Sequence, residues 1–177
     1  MHIQLRLALA ALLAIASATT ATATGYLQCV PFARAESGVD IRGNARDWWH
    51  QADGRYERGQ TPREGAVMAF APTAAMPIGH VAVVSRIVSD REVLISHSNW
   101  SPINGRRGQV ERNVRALDVS AAGDWSQVRV WYAPIQGLGT RVNPIRGFIY
   151  PGATPAREIQ SSNVLAAIAA SVATTGR

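Results

Sequence analysis

One thiol and a few imidazoles are the side chains of this sequence best suited to covalent chemistry. The 177 residues include a single cysteine, Cys29, and four histidines. A lone cysteine cannot form an intramolecular disulfide, so it pairs between molecules, sits buried and inert, or acts as a nucleophile. The stretch Leu27-Gln28-Cys29-Val30-Pro31-Phe32 puts a proline in the first turn of a helix, where its missing N–H costs nothing. A thiol at that point lies near free backbone N–H groups and the positive end of the helix dipole, and both favour the thiolate. Those N–H groups, together with the side-chain amide of Gln28, are also donors for an oxyanion. The alternative is a small buried hydrophobe at a helix start.

A cysteine nucleophile needs a base, and the histidines offer two candidates. His2 lies in the N-terminal leader, and His50 sits beside Trp49 as a surface or packing residue. His80 and His97 fall on two adjacent predicted strands joined by a tight turn at Ser89-Asp90. That turn pairs Val88 with Arg91. The register then sets Asn99 opposite His80, with His97 and Ser101 one diagonal step away on the same face. A slip of two residues keeps all three on that face, whereas a slip of one removes them together. Either Asn99 or His97 can therefore orient the His80 ring. One cysteine and scattered histidines lack metal-ligand spacing, so neither a metal nor a cofactor is expected.

These residues must be positioned by elements legible in the hydrophobic pattern. Residues 30–36 read as a short helix ended by Ser37-Gly38, and 44–52 as a second helical stretch containing Trp48-Trp49. Strands are expected at 66–70, 80–88, 92–98 and 128–132, with a shorter one at 147–150. Helices first and strands after predict one α+β domain, with N-terminal helices packed on a twisted antiparallel sheet.

The flanks differ from this central region. Residues 7–16 are an unbroken apolar run, with Ala16-Ser17-Ala18 and Ala21-Thr22-Ala23 behind it as small-residue cleavage sites. Residues 1–24 thus have the layout of a secretory signal, too short to span a bilayer comfortably, and predict an exported protein in the periplasm or outside the cell. Residues 151–177 are rich in Ala, Ser and Thr, and predict a weakly helical or disordered tail. All 18 basic residues are arginine, and the net charge is +6. This balance favours anionic partners, and for an exported chain an envelope polymer is expected rather than nucleic acid.

Five blocks in order carry a family resemblance. They are Gln28-Cys29-Val30-Pro31-Phe32-Ala33-Arg34, Gly43-Asn44-Ala45 with Trp48-Trp49, Pro62-Arg63-Glu64-Gly65-Ala66-Val67, Gly79-His80-Val81-Ala82-Val83-Val84 and Ser98-Asn99-Trp100. Over about residues 25–132 the sequence resembles the CHAP family, the cysteine, histidine-dependent amidohydrolases/peptidases. The resemblance implies a papain-like α+β fold and a catalytic domain at residues 25–150. It also implies cleavage of peptidoglycan amide bonds, between the lactyl group and L-alanine or within the peptide stems and cross-bridges. By position, Cys29 would be the nucleophile and His80 the general base.

The third position departs from the pattern. Many relatives carry Glu where this sequence has His97, which brings no fixed negative charge to His80. Asn99 can orient the ring through its side-chain carbonyl, as an amide does in other Cys–His sites. Gly79 fits a close approach of substrate backbone, or simply the turn before a strand. Trp100 would line the groove and stack on substrate, or belong to the core. Two other readings stand beside the hydrolase: a non-catalytic cell-wall-binding module, and a cysteine amidohydrolase acting on another amide. With no second wall-binding domain in the sequence, an envelope partner could supply targeting.

Overall fold

The computed structural model describes residues 26–152. The expected signal at 1–24 lies outside the described residues, as does all of the expected tail beyond Gly152. The chain starts with helix α1 (Cys29–Ser37), a 3-10 turn (Ala45–Asp47) and helix α2 (Trp48–Gln51). Eight strands follow: β1 (Arg58–Gly59), β2 (Val67–Phe70), β3 (His80–Ser89), β4 (Glu92–Ser98), β5 (Val110–Asp118), β6 (Gln127–Tyr132), β7 (Gly137–Leu138) and β8 (Asn143–Ile149).

The expectation of an α+β, papain-like layout, with helices packed on a sheet, is overturned. The fold is mostly β, and its sheet closes on itself. Strands β2 to β6 pair in sequence, and β8 then bonds to both β2 and β6, making a barrel of six strands. Closure removes the open edges that an isolated sheet would expose. The helices are short segments outside the barrel, and two elements undid the expectation. Strand β5 reads as polar in sequence, and β8 begins four residues before its predicted start, at Asn143.

Two apolar clusters follow from strand alternation. Met68, Phe70, Ala82, Val84, Ile95, Val130 and Phe148 fill the barrel interior. The intervening residues Val67, Ala69, Val81 and Val83 face outward and meet Ala33, Val39, Ile41 and Trp48 from the helical side. Trp48 is fully buried, and truncating such a side chain to Ala costs about 3–5 kcal/mol. This outer cluster clamps α1 against β3. The helix stops where Gly38 takes φ +76° and its N–H donates to the Arg34 carbonyl at 3.0 Å.

The turn between β3 and β4 sits one residue later than expected. It is formed by Asp90 and Arg91, with Ser89 opposite Glu92. Two irregularities in β3, between Val84 and Arg86 and between Ile87 and Ser89, then restore the anticipated pairing of Val83 with Ser96. The face shared by His80 and His97 survives because the combined shift is two residues.

Candidate active site

Cys29 is the first residue of α1, and Gln28 precedes it in an extended conformation, φ −79° and ψ 155°. The helix start is tied to the end of the barrel by two bonds. The Leu27 N–H donates to the Gly108 carbonyl at 3.0 Å, and the Ser98 hydroxyl donates to the Leu27 carbonyl at 2.6 Å. Both Cys29 and His80 line one cavity of about 650 Å3, together with Gln28, Gly79, Asn99 and Trp100. The charged residues on its wall are Arg107 and Arg141, so the cavity is cationic.

His80 opens β3 on the interior face of the barrel and is almost fully buried. Its Nε2 lies 3.1 Å from Nδ1 of His97, a hydrogen bond between two imidazoles. His97 is fully buried on β4, and its Nε2 lies 3.5 Å from Oε2 of Glu111 on β5. That contact is at the outer limit of a hydrogen bond, and His97 Nε2 has no closer partner among the described residues. Glu111 Oε2 also accepts the Ser101 N–H at 3.0 Å. A buried string therefore runs from the cavity into the barrel: His80, His97, Glu111.

Aromatic rings wall this string. The His80 ring is 5.3 Å from Phe70 and 4.9 Å from Trp100, while Trp100 stacks on His97 at 5.5 Å and 29°. Trp100 is fixed by donating its indole N–H to the Trp131 carbonyl at 3.0 Å. It is thus a cavity wall and a packing partner of both histidines.

Asn99 is turned elsewhere. It leaves the sheet at φ +65°, and its Nδ2 donates to Oε1 of Gln28 at 3.0 Å. The structure brings Cys29, Gln28, Gly79, His80, Asn99 and Trp100 around one cavity and sets His97 behind His80. At Gly79, φ is +70° and a Cβ would lie 2.7 Å from the Arg46 backbone N. The close approach there is made by the protein's own backbone, which packs β3 against the 3-10 turn.

Electrostatics favour neutral resting forms. Burial pushes the Cys29 thiol up from its ordinary 9.0, although backbone N–H groups of Val81, Val30 and Cys29 pull the other way. Burial, followed by the charges of His97 and Arg107, holds His80 well below 6.5. Burial also lowers His97 against the opposing pull of Glu111. For Glu111 burial acts upward, but the bonds to His97 and Ser101 outweigh it and keep the carboxyl below 4.5. The helix start alone had suggested a thiolate; here desolvation is the larger effect.

Glu111 was not foreseen from the sequence. Its strand was not predicted, and only the buried partner of His97 reveals it. A lone glutamate in a polar run carries little signal, although the missing charge at position 97 was reason to look for one.

No curated protein matches the chain. The model of the CHAP domain matches residues 19–99, the family that the sequence resembles. This family has an amidohydrolase/peptidase-type function with peptidoglycan as substrate. The match spans α1 through β4 and stops at Asn99, leaving Glu111 beyond it.

Proposed function

We propose that this CHAP-domain chain is an exported peptidoglycan hydrolase in which Cys29 attacks an amide carbonyl and His80 is the general base. The observation that carries the reading is the arrangement of His80. Its ring borders the same cavity as Cys29, and its Nε2 is held at 3.1 Å by His97. A base whose second nitrogen is engaged by an orienting group is the arrangement that nucleophilic Cys–His chemistry requires.

The neutral pair suits a step in which proton transfer accompanies attack. As the sulfur–carbon bond forms, the thiol proton passes to Nδ1 of His80 and the carbonyl π pair moves to oxygen. Backbone N–H groups at the start of α1 and the amide of Gln28 are the donors available to that oxyanion. Collapse expels the amine, which takes the proton from Nδ1. Water then adds to the thioester, giving a proton to His80, and the thiol leaves with it as the acid is released.

The cationic wall at Arg107 and Arg141 suits wall peptides, which carry free carboxylates. Export rests on the leader at 1–24; among the described residues no helix is long and apolar enough to cross a membrane. Incubation of the purified protein with peptidoglycan, followed by mass spectrometry of the fragments, tests the function. New amino termini, or free stem peptides, are expected from the unaltered protein and absent with Cys29→Ala. Equal activity in Cys29→Ala, or binding to walls without any new terminus, would overturn the proposal.

A further inference from the structure

We propose that Glu111 is a positioning residue for this site, selecting through His97 the tautomer that leaves Nδ1 of His80 as a free base. The inference rests on the hydrolase reading, but it stands on geometry that reading does not use.

Two neutral imidazoles share the 3.1 Å link between Nε2 of His80 and Nδ1 of His97, and only one proton can lie in it. If the proton belongs to His97 Nδ1, then His97 Nε2 is a bare lone pair facing the Glu111 carboxylate at 3.5 Å. That contact is repulsive. It also leaves His80 with its own proton on Nδ1, where it cannot accept one from a thiol. If the proton belongs instead to His80 Nε2, it is donated to His97 Nδ1. His97 Nε2 then carries an N–H aimed at Glu111 Oε2, and Nδ1 of His80 is unprotonated. A carboxylate, whose two oxygens only accept, selects the second arrangement; a neutral amide of the same shape, which also carries an NH2 and no charge, selects it less firmly.

The surroundings support an ionised Glu111. Its Oε2 accepts the Ser101 N–H at 3.0 Å, and the bonds to His97 and Ser101 keep its carboxyl below the ordinary range despite burial. The groups facing the relay are Arg107 and Cys29 beside His80, and Glu111 beside His97; Phe70 and Trp100 are uncharged walls. Glu111 is thus the one negative charge against the string, among the described residues, able to offset an imidazolium formed during attack. In the pattern that the family resemblance implies, a carboxylate stands at position 97 itself. Here it comes from the next strand with an imidazole between.

The bulge in β5 makes this possible. Ile95 pairs with Val114, but His97 pairs with Glu111, and the extra residue is taken up around Asn113 at φ +54°. Without that shift, alternation from the inward Ala116 would bring Arg112 to the interior instead.

Glu111→Gln keeps the shape and removes the charge. It should lower kcat by at least about 10-fold, and up to about 10⁴-fold as found for wrong-tautomer variants, with KM little changed. The acid limb of the pH–rate profile should move to lower pH, because His80 loses the charge that helped it hold a proton. In Glu111→Gln, adding His97→Glu places a carboxylate directly on His80 and should recover part of the lost kcat. Retention of the original kcat and acid limb by Glu111→Gln overturns the proposal. If that variant does not fold, ¹⁵N NMR of histidines in the unaltered protein decides: both His80 and His97 should be Nε2–H tautomers. An Nδ1–H form of either ring overturns the assignment. The NMR arm needs no substrate, so it is read separately from any failure of amide cleavage.

Discussion

Asn99 donates to Oε1 of Gln28 at 3.0 Å, while the Nε2 of His80 is met by His97 at 3.1 Å. The polar residue after β4 and the one within it thus hold different partners, Gln28 and His80. With its carbonyl oxygen engaged, Gln28 has its amide hydrogens left for an incoming oxyanion. Gln28→Ala should therefore cut kcat by about 10²–10³-fold, the usual loss for one oxyanion donor, with little change in KM. Asn99→Ala should produce a smaller loss in the same parameter, since it frees the Gln28 amide without deleting it. Steady-state kinetics on a soluble muropeptide would check both, and equal kcat in Gln28→Ala would exclude the donor role.

Neutral resting forms have a kinetic consequence. Burial raises Cys29 above 9.0, and burial with the His97 and Arg107 charges lowers His80 well below 6.5. Alkylation of resting Cys29 by iodoacetamide should be slow at neutral pH and climb through the alkaline range. A preformed thiolate–imidazolium pair would instead give a plateau of reactivity across neutral pH. Stopped-time alkylation across a pH series distinguishes the two, and a neutral plateau would show that the ion pair forms before substrate arrives.

Stability should respond to acid earlier than carboxylates alone predict. His80 and His97 both bind protons less readily folded than unfolded, where the ordinary value is 6.5. The unfolded chain therefore takes up more protons as pH falls below 6.5, and stability is lost from there downward. Glu111, depressed from 4.5, adds a further loss below that value. Thermal melts should show Tm falling already between about pH 6.5 and 5 by this linkage. His97→Gln should flatten that part of the curve, and an unchanged slope would discount the histidines.

Gly79→Ala tests the joint beneath His80. The added Cβ would meet the Arg46 backbone at 2.7 Å, at a φ of +70°. A loss of about 1–3 kcal/mol in urea unfolding is expected from backbone strain, with a larger fractional loss of activity because β3 begins at the next residue. Stability within about 0.5 kcal/mol of the parent would mean the Arg46 segment yields readily.

Much of the site was legible because it rests on local signals. Pro31 and Gly38 mark the ends of α1, and the largely β-branched apolar run from Val81 to Val84 marks β3. The shared face of His80 and His97 depended only on parity, which the two β3 irregularities preserve. Strand β5 was illegible for the opposite reason. Val110-Glu111-Arg112-Asn113-Val114-Arg115 has no apolar alternation, and the bulge at Asn113 changes which residues face inward midway. Missing β5 hid both Glu111 and the closure of the barrel, since a sheet without that strand cannot bring β6 round to β8. Third-position chemistry was thus unreadable from position 97 alone.

Closure through β8 also governs when the cavity wall is complete. Val67 pairs with Ile149 and Phe70 with Ile145, so the wall beside the early helices is completed by nearly the last described residues. Such long-range pairing makes for high contact order and slow assembly. A fragment ending near residue 99 would hold Cys29 and His80, yet it would lack β5, β6 and β8 and leave two unpaired strand edges. Chain synthesis therefore acts as a timer: the proposed nucleophile and base emerge early, and the barrel that buries His80 exists only once residues 143–149 have arrived.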